Sequence, residues 1–166
     1  MQNTKFRIVQ NEDDAKIIEA LAKEIWEQHY IPIIGSSQVE YMLEKFQNST
    51  AVLSDIKEKN CEYVLLEYAG VSSGYYCVRF DKSDRSLFLS KFYLKRNTRG
   101  QGFGRQMLEH MVGRHNPASI WLTVNKNNSD TIEVYRHLGF QIEKTQKVDI
   151  GDGFSMDDYV MRMNLN

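Results

Sequence analysis

The 166-residue sequence has only two cysteines, two prolines and no long apolar run. Cys61 and Cys77 are too few for a disulfide-rich secreted domain, so we expect reduced core thiols, and no metal site. No apolar stretch approaches the ~20 residues of a membrane helix, and residues 1–10 resemble no secretion signal. We therefore expect a cytoplasmic protein without a membrane partner. Both prolines, Pro32 and Pro117, are expected in loops.

The chain also lacks a charge excess of either sign. It has 21 lysines and arginines against 22 aspartates and glutamates, which gives a net charge of −1. No global basic surface for nucleic acid is present, so we expect no nucleic-acid partner. The length suits one domain spanning residues 1–166, large enough to bury a core without disulfides.

The spacing of apolar residues predicts the element order β-α-α-β-β-β-α-β-α-β-β. Helices are predicted after the caps Asn11 and Ser37, from Phe103 onward, and from Asn128 to the glycine stop at Gly139, with a weaker short helix over 51–59. Aromatic and β-branched runs separated by turn residues predict strands over 5–9, 61–68, 74–80, 86–94, 119–124, 141–150 and 155–165.

A helix separates the fourth and fifth predicted strands, and such a crossover joins parallel neighbours. The other connections allow antiparallel pairing. The sequence therefore predicts a mixed α/β fold, with a mostly antiparallel sheet, one parallel strand pair and helices on its faces.

Three glycines, Gly100, Gly102 and Gly104, stand at the start of the helix that follows the fourth strand. Residues 91–116 also carry six lysines and arginines but one acid, Glu109. A helix N-terminus preceded by glycines lets an anion approach unpaired N–H groups, and the local positive charge favours a pyrophosphate. A glycine-rich turn with solvated arginines is the alternative.

The two common nucleotide motifs do not fit this spacing. A P-loop requires lysine and then serine or threonine after its last glycine, but Arg105 and Gln106 follow here. The dinucleotide-binding motif requires a third glycine where Met107 stands.

Residues 99–104, Arg-Gly-Gln-Gly-Phe-Gly, resemble the Arg/Gln-x-x-Gly-x-Gly/Ala motif of the GCN5-related N-acetyltransferases (the GNAT superfamily). Residues 128–140 resemble that family's Asn-x-x-Ala-x-x-x-Tyr-x-x-x-Gly-Phe helix, with Thr131 in place of alanine. The predicted element order is also that of the family. The resemblance implies the acyl-CoA N-acyltransferase fold, in which the parallel strands splay apart and helices cover both faces.

The resemblance further implies acetyl-CoA as co-substrate. The pyrophosphate would lie on the glycine loop, and the pantetheine arm would pair with the edge of the fourth strand. The implied coenzyme-binding residues are Phe92, Tyr93, Leu94, Arg99, Gly100, Gln101, Gly102, Phe103, Gly104, Arg105, Asn128, Thr131 and Tyr135.

Tyr135 occupies the family's position for the catalytic acid, which protonates the leaving thiolate. The alternative for Tyr135 is a helix tyrosine packed on the sheet, and the alternative for Asn128 is a plain helix cap. Many members carry a glutamate base on the fourth strand, but residues 86–94 contain no carboxylate. A water chain, a tyrosine, His29 or His110 are the candidates that remain for the base.

The family's acceptor site is lined by the first two helices and the final hairpin. The resemblance places Trp26, His29, Tyr30, Tyr41 and Asp157 there. The chain's end and the stretch Trp-Glu-Gln-His-Tyr are similar to bacterial spermidine/spermine acetyltransferases. The acids between residues 149 and 158, together with Glu40 and Glu44, favour a cationic acceptor. The alternative is that these acids are simply solvated.

We therefore expect direct acetyl transfer from acetyl-CoA to a small primary amine such as a polyamine. A protein N-terminal or lysine acetyltransferase and a non-catalytic acyl-CoA sensor are the alternatives. Family analogy adds a possible homodimer.

Overall fold

The computed structural model describes residues 3–165, whose strands form one seven-stranded sheet in the order β1-β2-β3-β4-β5-β7-β6. The parallel pair is β4 with β5, and the other neighbours are antiparallel, which confirms the predicted mixed sheet. In chain order, β1 to β7 span Thr4–Ile8, Glu62–Tyr68, Val71–Asp81, Ser86–Leu94, Ser119–Asn125, Gln141–Gly151 and Phe154–Asn164.

Six α-helices accompany this sheet within the described part of the chain. In order, α1 to α6 span Glu12–His29, Ile31–Ile34, Ser36–Phe46, Ser49–Glu58, Phe103–His115 and Ser129–Leu138. The start of α1 is as predicted, because the side-chain oxygen of Asn11 accepts a 2.9 Å hydrogen bond from the Asp14 N–H. The short helix expected near residues 51–59 is α4.

Two local predictions were wrong. Ser37 does not cap the second long helix, because α3 already begins at Ser36 after Gly35. Pro32 does not lie in a loop but in the first turn of α2, where its missing N–H leaves no helix hydrogen bond unmade. Helix α2 therefore bridges α1 and α3 where the sequence suggested a simple break.

Alternation along the strands divides the core into two layers, one on each side of the sheet. On the α5–α6 face, Tyr76 and Ile120 pack with Met107 and other residues of these two helices. On the α1–α4 face, Tyr75 packs with Ile25 and other residues of the first helices. The helices thus cover both faces, as the resemblance implied.

The parallel pair separates after a short contact. Partners are Ser86 with Ser119, Leu87 with Ile120, and Phe88 with Trp121, and the described residues form no further β4–β5 pair. Residues 89–94 of β4 therefore present a free edge to a gap beside β5. A bulge in β4 lies at this point, because Cys77 and Val78 of β3 pair with Lys91 and Leu89 and leave Ser90 unpaired.

Both cysteines are free, with Cys77 buried and Cys61 half-buried. Among residues 3–165, no helix has the length and apolar character needed to cross a membrane.

Candidate active site

The glycine loop owes its composition to backbone conformation. Gly102, the residue before α5, has φ +85°, and Gly100 has φ +75°, both in the left-handed region that side chains disfavour. A Cβ atom at either position would meet no atom within 4 Å. The loop is thus open space above the first N–H groups of α5, which suits an anion that approaches the backbone.

Gly104 differs, because it already lies inside α5. A Cβ atom here would lie 3.7 Å from Cζ of Phe92, an ordinary van der Waals distance. Alanine therefore fits at this position, in keeping with the Gly/Ala alternative of the motif. Phe92 in turn faces Tyr135, with ring centroids 6.0 Å apart, so the loop, β4 and α6 form one packed unit.

Basic side chains surround the loop. Arg99 donates from Nε to the carbonyl oxygen of Leu94 at 3.2 Å, and Arg96 donates to the carbonyl oxygen of Gln28 at 3.1 Å. Burial and the neighbouring Arg96 lower the pKa of Arg99. Arg105 is exposed on the first turn of α5. These charges add to the positive end of the helix dipole.

Tyr135 lies on α6 and is only 7% exposed. Its ring contacts Phe92 and Phe140, with the Phe140 centroid at 5.6 Å. No residue between 3 and 165 hydrogen-bonds its hydroxyl, so the proton is available to a ligand. Burial raises the pKa of Tyr135 well above its ordinary value, which keeps the phenol protonated at neutral pH, as a proton donor requires.

Asn128 stands before α6 but does not cap it with its side chain. Its Oδ1 instead lies 3.0 Å from Nε2 of His29, and Oγ1 of Thr131 lies 3.4 Å from the same nitrogen. Burial lowers the pKa of His29 despite the opposing effect of Asn128. A predicted acceptor-side residue thus meets two predicted coenzyme-side residues where β4 and β5 separate.

A cavity of about 290 Å³ opens beside this gap. Four aromatic side chains line it, namely Trp26, Tyr30, Phe46 and Tyr93. The ring centroids of Trp26, Tyr30 and Tyr93 lie 4.4 to 6.3 Å apart. Both splayed strands also contribute to the lining, β4 through Ser90, Lys91 and Tyr93 and β5 through Thr123, Val124 and Asn125.

Lys91 is a cavity residue that the sequence did not reveal as functional. It is 8% exposed, and its Nζ donates to the Phe46 carbonyl at 2.8 Å and to the Tyr63 hydroxyl at 2.5 Å. The carboxylate of Asp55 lies 3.7 Å away. Burial lowers the pKa of Lys91. Many family members carry a glutamate on the fourth strand. In this protein the fourth strand, β4, carries the amine of Lys91 instead.

The two adjacent acids of β7, Asp157 and Asp158, differ in solvent exposure and in their position relative to the cavity. Asp157 is exposed, pairs with Nζ of Lys126 at 3.0 Å, and does not line the cavity. Asp158 lines it and is 3% exposed, and its Oδ1 has no hydrogen-bond partner in the described structure. Burial, reinforced by Asp157, raises the pKa of Asp158 to about 6. The alternation of side chains along β7 is the signal that separates the two.

Three other residues predicted for acceptor binding or as the base lie outside the cavity lining, and one of them is His29, described above. Tyr41 donates its hydroxyl to the Ile150 carbonyl at 2.7 Å and thus holds the β6–β7 hairpin against α3. His110 lies on the α5–α6 face, where Nδ1 is 2.7 Å from the Tyr76 hydroxyl. The remaining acids that favoured a cationic acceptor do not line the cavity either; these are Glu40, Glu44, Asp149 and Asp152.

A mixed sheet with one splayed parallel pair, and a glycine-led helix after the fourth strand, defines the acyl-CoA N-acyltransferase fold. Residues 18–140 match the sequence profile of the acetyltransferase (GNAT) family. This match covers well over half of the chain, so the protein belongs to the GNAT family and is an N-acetyltransferase.

Curated relatives include the 5-NmdU N-acetyltransferase of Pseudomonas phage PaMx11, 24% identical over 72% of this chain and 85% of the phage protein. Another is the spermine/spermidine N(1)-acetyltransferase of Bacillus subtilis strain 168, 26% identical over 65% of this chain and 76% of that protein. Among solved structures, the PaiA N-acetyltransferase of Thermoplasma acidophilum in complex with coenzyme A superposes with a TM-score of 0.77 at 18% identity, over 96% of this chain and 99% of the other.

Proposed function

We propose that the protein transfers the acetyl group of acetyl-CoA to the primary amine of a small cationic molecule, with polyamines as the first acceptors to test. The observation that carries this proposal is the junction between the splayed strands and an aromatic cavity, which contains the buried carboxylate of Asp158. The similarity to the spermine and spermine/spermidine N(1)-acetyltransferases of Bacillus supports the choice of polyamines.

The residues present fit coenzyme A. The open, left-handed backbone at Gly100 and Gly102 would bind the pyrophosphate, with Arg99 and Arg105 as neighbouring charges. The free edge of β4 over residues 89–94 would pair with the pantetheine arm. Bound there, acetyl-CoA supplies an activated thioester next to the cavity.

The chain's own groups would then act on this thioester. A backbone N–H near Phe92 or Leu94 stabilises negative charge that develops on the carbonyl oxygen. Tyr135 donates its proton to the departing sulfur. Because the coenzyme groove and the cavity meet in one gap, the amine reaches the thioester directly, and initial-rate lines should intersect as in a ternary-complex mechanism.

The test is an acetyl-transfer assay with acetyl-CoA and a panel of polyamines, aminoglycosides, amino acids, 5-NmdU and peptides. Free coenzyme A is measured as the product, with a reaction lacking amine as the blank. Turnover of spermidine or spermine above the other amines is expected. Turnover confined to a peptide N-terminus or lysine would contradict the proposal. Coenzyme binding without turnover of any amine would instead identify a sensor.

A further inference from the structure

We propose that Asp158 binds the ammonium group of the acceptor and removes its proton before attack on the thioester. This inference rests on the acetyl-transfer function proposed above and assigns a role within the same site.

Asp158 is an acid buried in the wall of the cavity. Asp158 is 3% exposed, faces the cavity, and leaves Oδ1 without a hydrogen bond within residues 3–165. Burial of a carboxylate without a cation or donor is strongly unfavourable, so such a group marks a position where a ligand provides the partner. A protonated amine in the cavity supplies both a positive charge and hydrogen-bond donors.

The surrounding aromatic rings also suit a cation. The centroids of Trp26 and Tyr30 lie 4.4 Å apart, and Tyr93 lies 5.8 Å from Trp26 and 6.3 Å from Tyr30. All three side chains line the same cavity as Asp158. An ammonium ion near several aromatic faces is stabilised by cation–π attraction, which adds to its attraction to the carboxylate.

The other candidate bases are engaged by other side chains or lie outside the cavity. Asp55, the second cavity carboxylate, accepts a 2.6 Å hydrogen bond from Tyr63 and lies near the amines of Lys59 and Lys91. His29 and His110 do not line the cavity. Within the cavity lining, Asp158 therefore remains the carboxylate with a free oxygen.

Burial and the charges around Asp158 bring the pKa of its carboxyl group close to neutral pH. Burial is the main cause that raises its pKa to about 6, Asp157 of the same strand raises it further, and Lys126 after β5 lowers it. Tyr30, the residue that follows α1, interacts with it electrostatically, and the wall of the same cavity also contains Asp55, Lys59, Arg79 and Lys91. A base of this pKa is ionised above pH 6 and still accepts a proton efficiently.

The protons balance over the whole reaction. The acceptor ammonium gives one proton to Asp158, and the neutral amine then forms the C–N bond. The C–S bond breaks, and Tyr135 donates a proton to sulfur and regains one from the nitrogen of the new amide. Asp158 releases its proton to water, so one proton is produced for each acetyl group transferred.

The decisive variant is Asp158→Asn, which keeps the side-chain volume and removes both charge and basicity. We expect kcat/KM for the amine to fall by about 100-fold or more. The Kd for acetyl-CoA, measured by calorimetry, should change less than about threefold. Asp152→Asn is the matched control, because it removes an exposed acid from the same hairpin at φ +52°, which asparagine also adopts.

Two pH measurements separate this role from a structural one. In the parent, kcat/KM should fall as the pH drops below about 6, and this decrease should be absent from the residual activity of Asp158→Asn. Since the folded-state pKa of Asp158 is raised above its unfolded value near 4, the parent's unfolding free energy should decrease as the pH rises from about 4 to 6. In Asp158→Asn this decrease should be absent, and the melting temperature near pH 7 should be no lower than that of the parent.

Parent-like turnover in a folded Asp158→Asn would overturn the inference, as would a loss confined to Asp157→Asn. Should the amide variant not fold, Asp158→Ser provides the same comparison. If the parent turns over no amine, the proposed function fails instead. Asp158 is then tested by calorimetry of spermidine with the coenzyme A complex, and equal binding to parent and variant would overturn its role.

Discussion

The proposed coenzyme side and the proposed acceptor side of the gap are built in different ways. The proposed coenzyme side comprises the edge of β4 over residues 89–94, residues 99–105 and the start of α6, three short segments in which backbone groups carry much of the proposed binding. The proposed acceptor cavity collects side chains from all of the helices α1 to α4 and from four strands. A site built on backbone has a compact sequence motif, whereas a cavity assembled from distant side chains does not.

The largest expected effect is on the coenzyme side. In Gly102→Glu, a carboxylate would stand at the N-terminus of α5, occupy the anion site and repel the pyrophosphate. We expect coenzyme binding to be abolished, with Kd raised more than about 100-fold in calorimetry, while circular dichroism shows a retained fold.

The matched control is Gly70→Glu in the β2–β3 turn. Gly70 has φ +80° and open space around it. Glutamate at this position therefore imposes the same backbone strain of about 1–2 kcal/mol, but away from the glycine loop. It should lower stability comparably and leave coenzyme binding intact. If both variants bind acetyl-CoA normally, the glycine loop is not the pyrophosphate site.

A smaller effect is expected where the two sides meet. Tyr135→Phe keeps the ring contacts with Phe92 and Phe140 and removes the proton donor. We expect kcat to fall by about 100-fold with coenzyme affinity and melting temperature nearly unchanged. A kcat within threefold of the parent would leave Tyr135 as a packing residue.

On the acceptor side, Lys91→Gln should change acceptor preference. An ammonium in the cavity wall repels a second positive charge on the acceptor by on the order of 1–2 kcal/mol at about 10 Å and an effective dielectric constant of about 20. Its removal should therefore lower KM for spermidine several-fold more than KM for a monoamine such as butylamine. Equal changes for the two amines would show that Lys91 is purely structural.

The smallest effect tests the limit of the backbone argument. Gly104→Ala places a Cβ atom at an ordinary 3.7 Å from Phe92 inside a helix. We expect coenzyme affinity within twofold of the parent and a gain of about 0.4–1 kcal/mol in unfolding free energy, measured with denaturant. A large loss of affinity would mean that all three glycines, rather than two, are required.

Much of the fold could be predicted because its signals are local. The parallel pair follows from one helix between β4 and β5, and Asn11 marks the start of α1. Helix α2 could not be predicted in this way. Pro32 indicates the end of a helix, and only the path of the chain between α1 and α3 shows that it instead begins a new one.

The acceptor residues show where sequence reasoning ends. Asp157 and Asp158 are neighbours of identical chemistry, and only the position of β7 in the sheet decides which one enters the cavity. Lys91 enters it beside the bulge at Ser90, which no composition signal reveals. The role of Asn128 as partner of His29 depends on a contact across 99 residues of sequence.

The three residue pairs that join β4 to β5 also make this seam the weakest line of the sheet. These pairs join strands β1–β4 to strands β5–β7 at one end of the seam, and the described residues form no further β4–β5 pair along the rest of β4. Amide hydrogens facing the gap from residues 89–94 should exchange rapidly with deuterium in the free protein, and bound coenzyme should slow their exchange as it spans the gap.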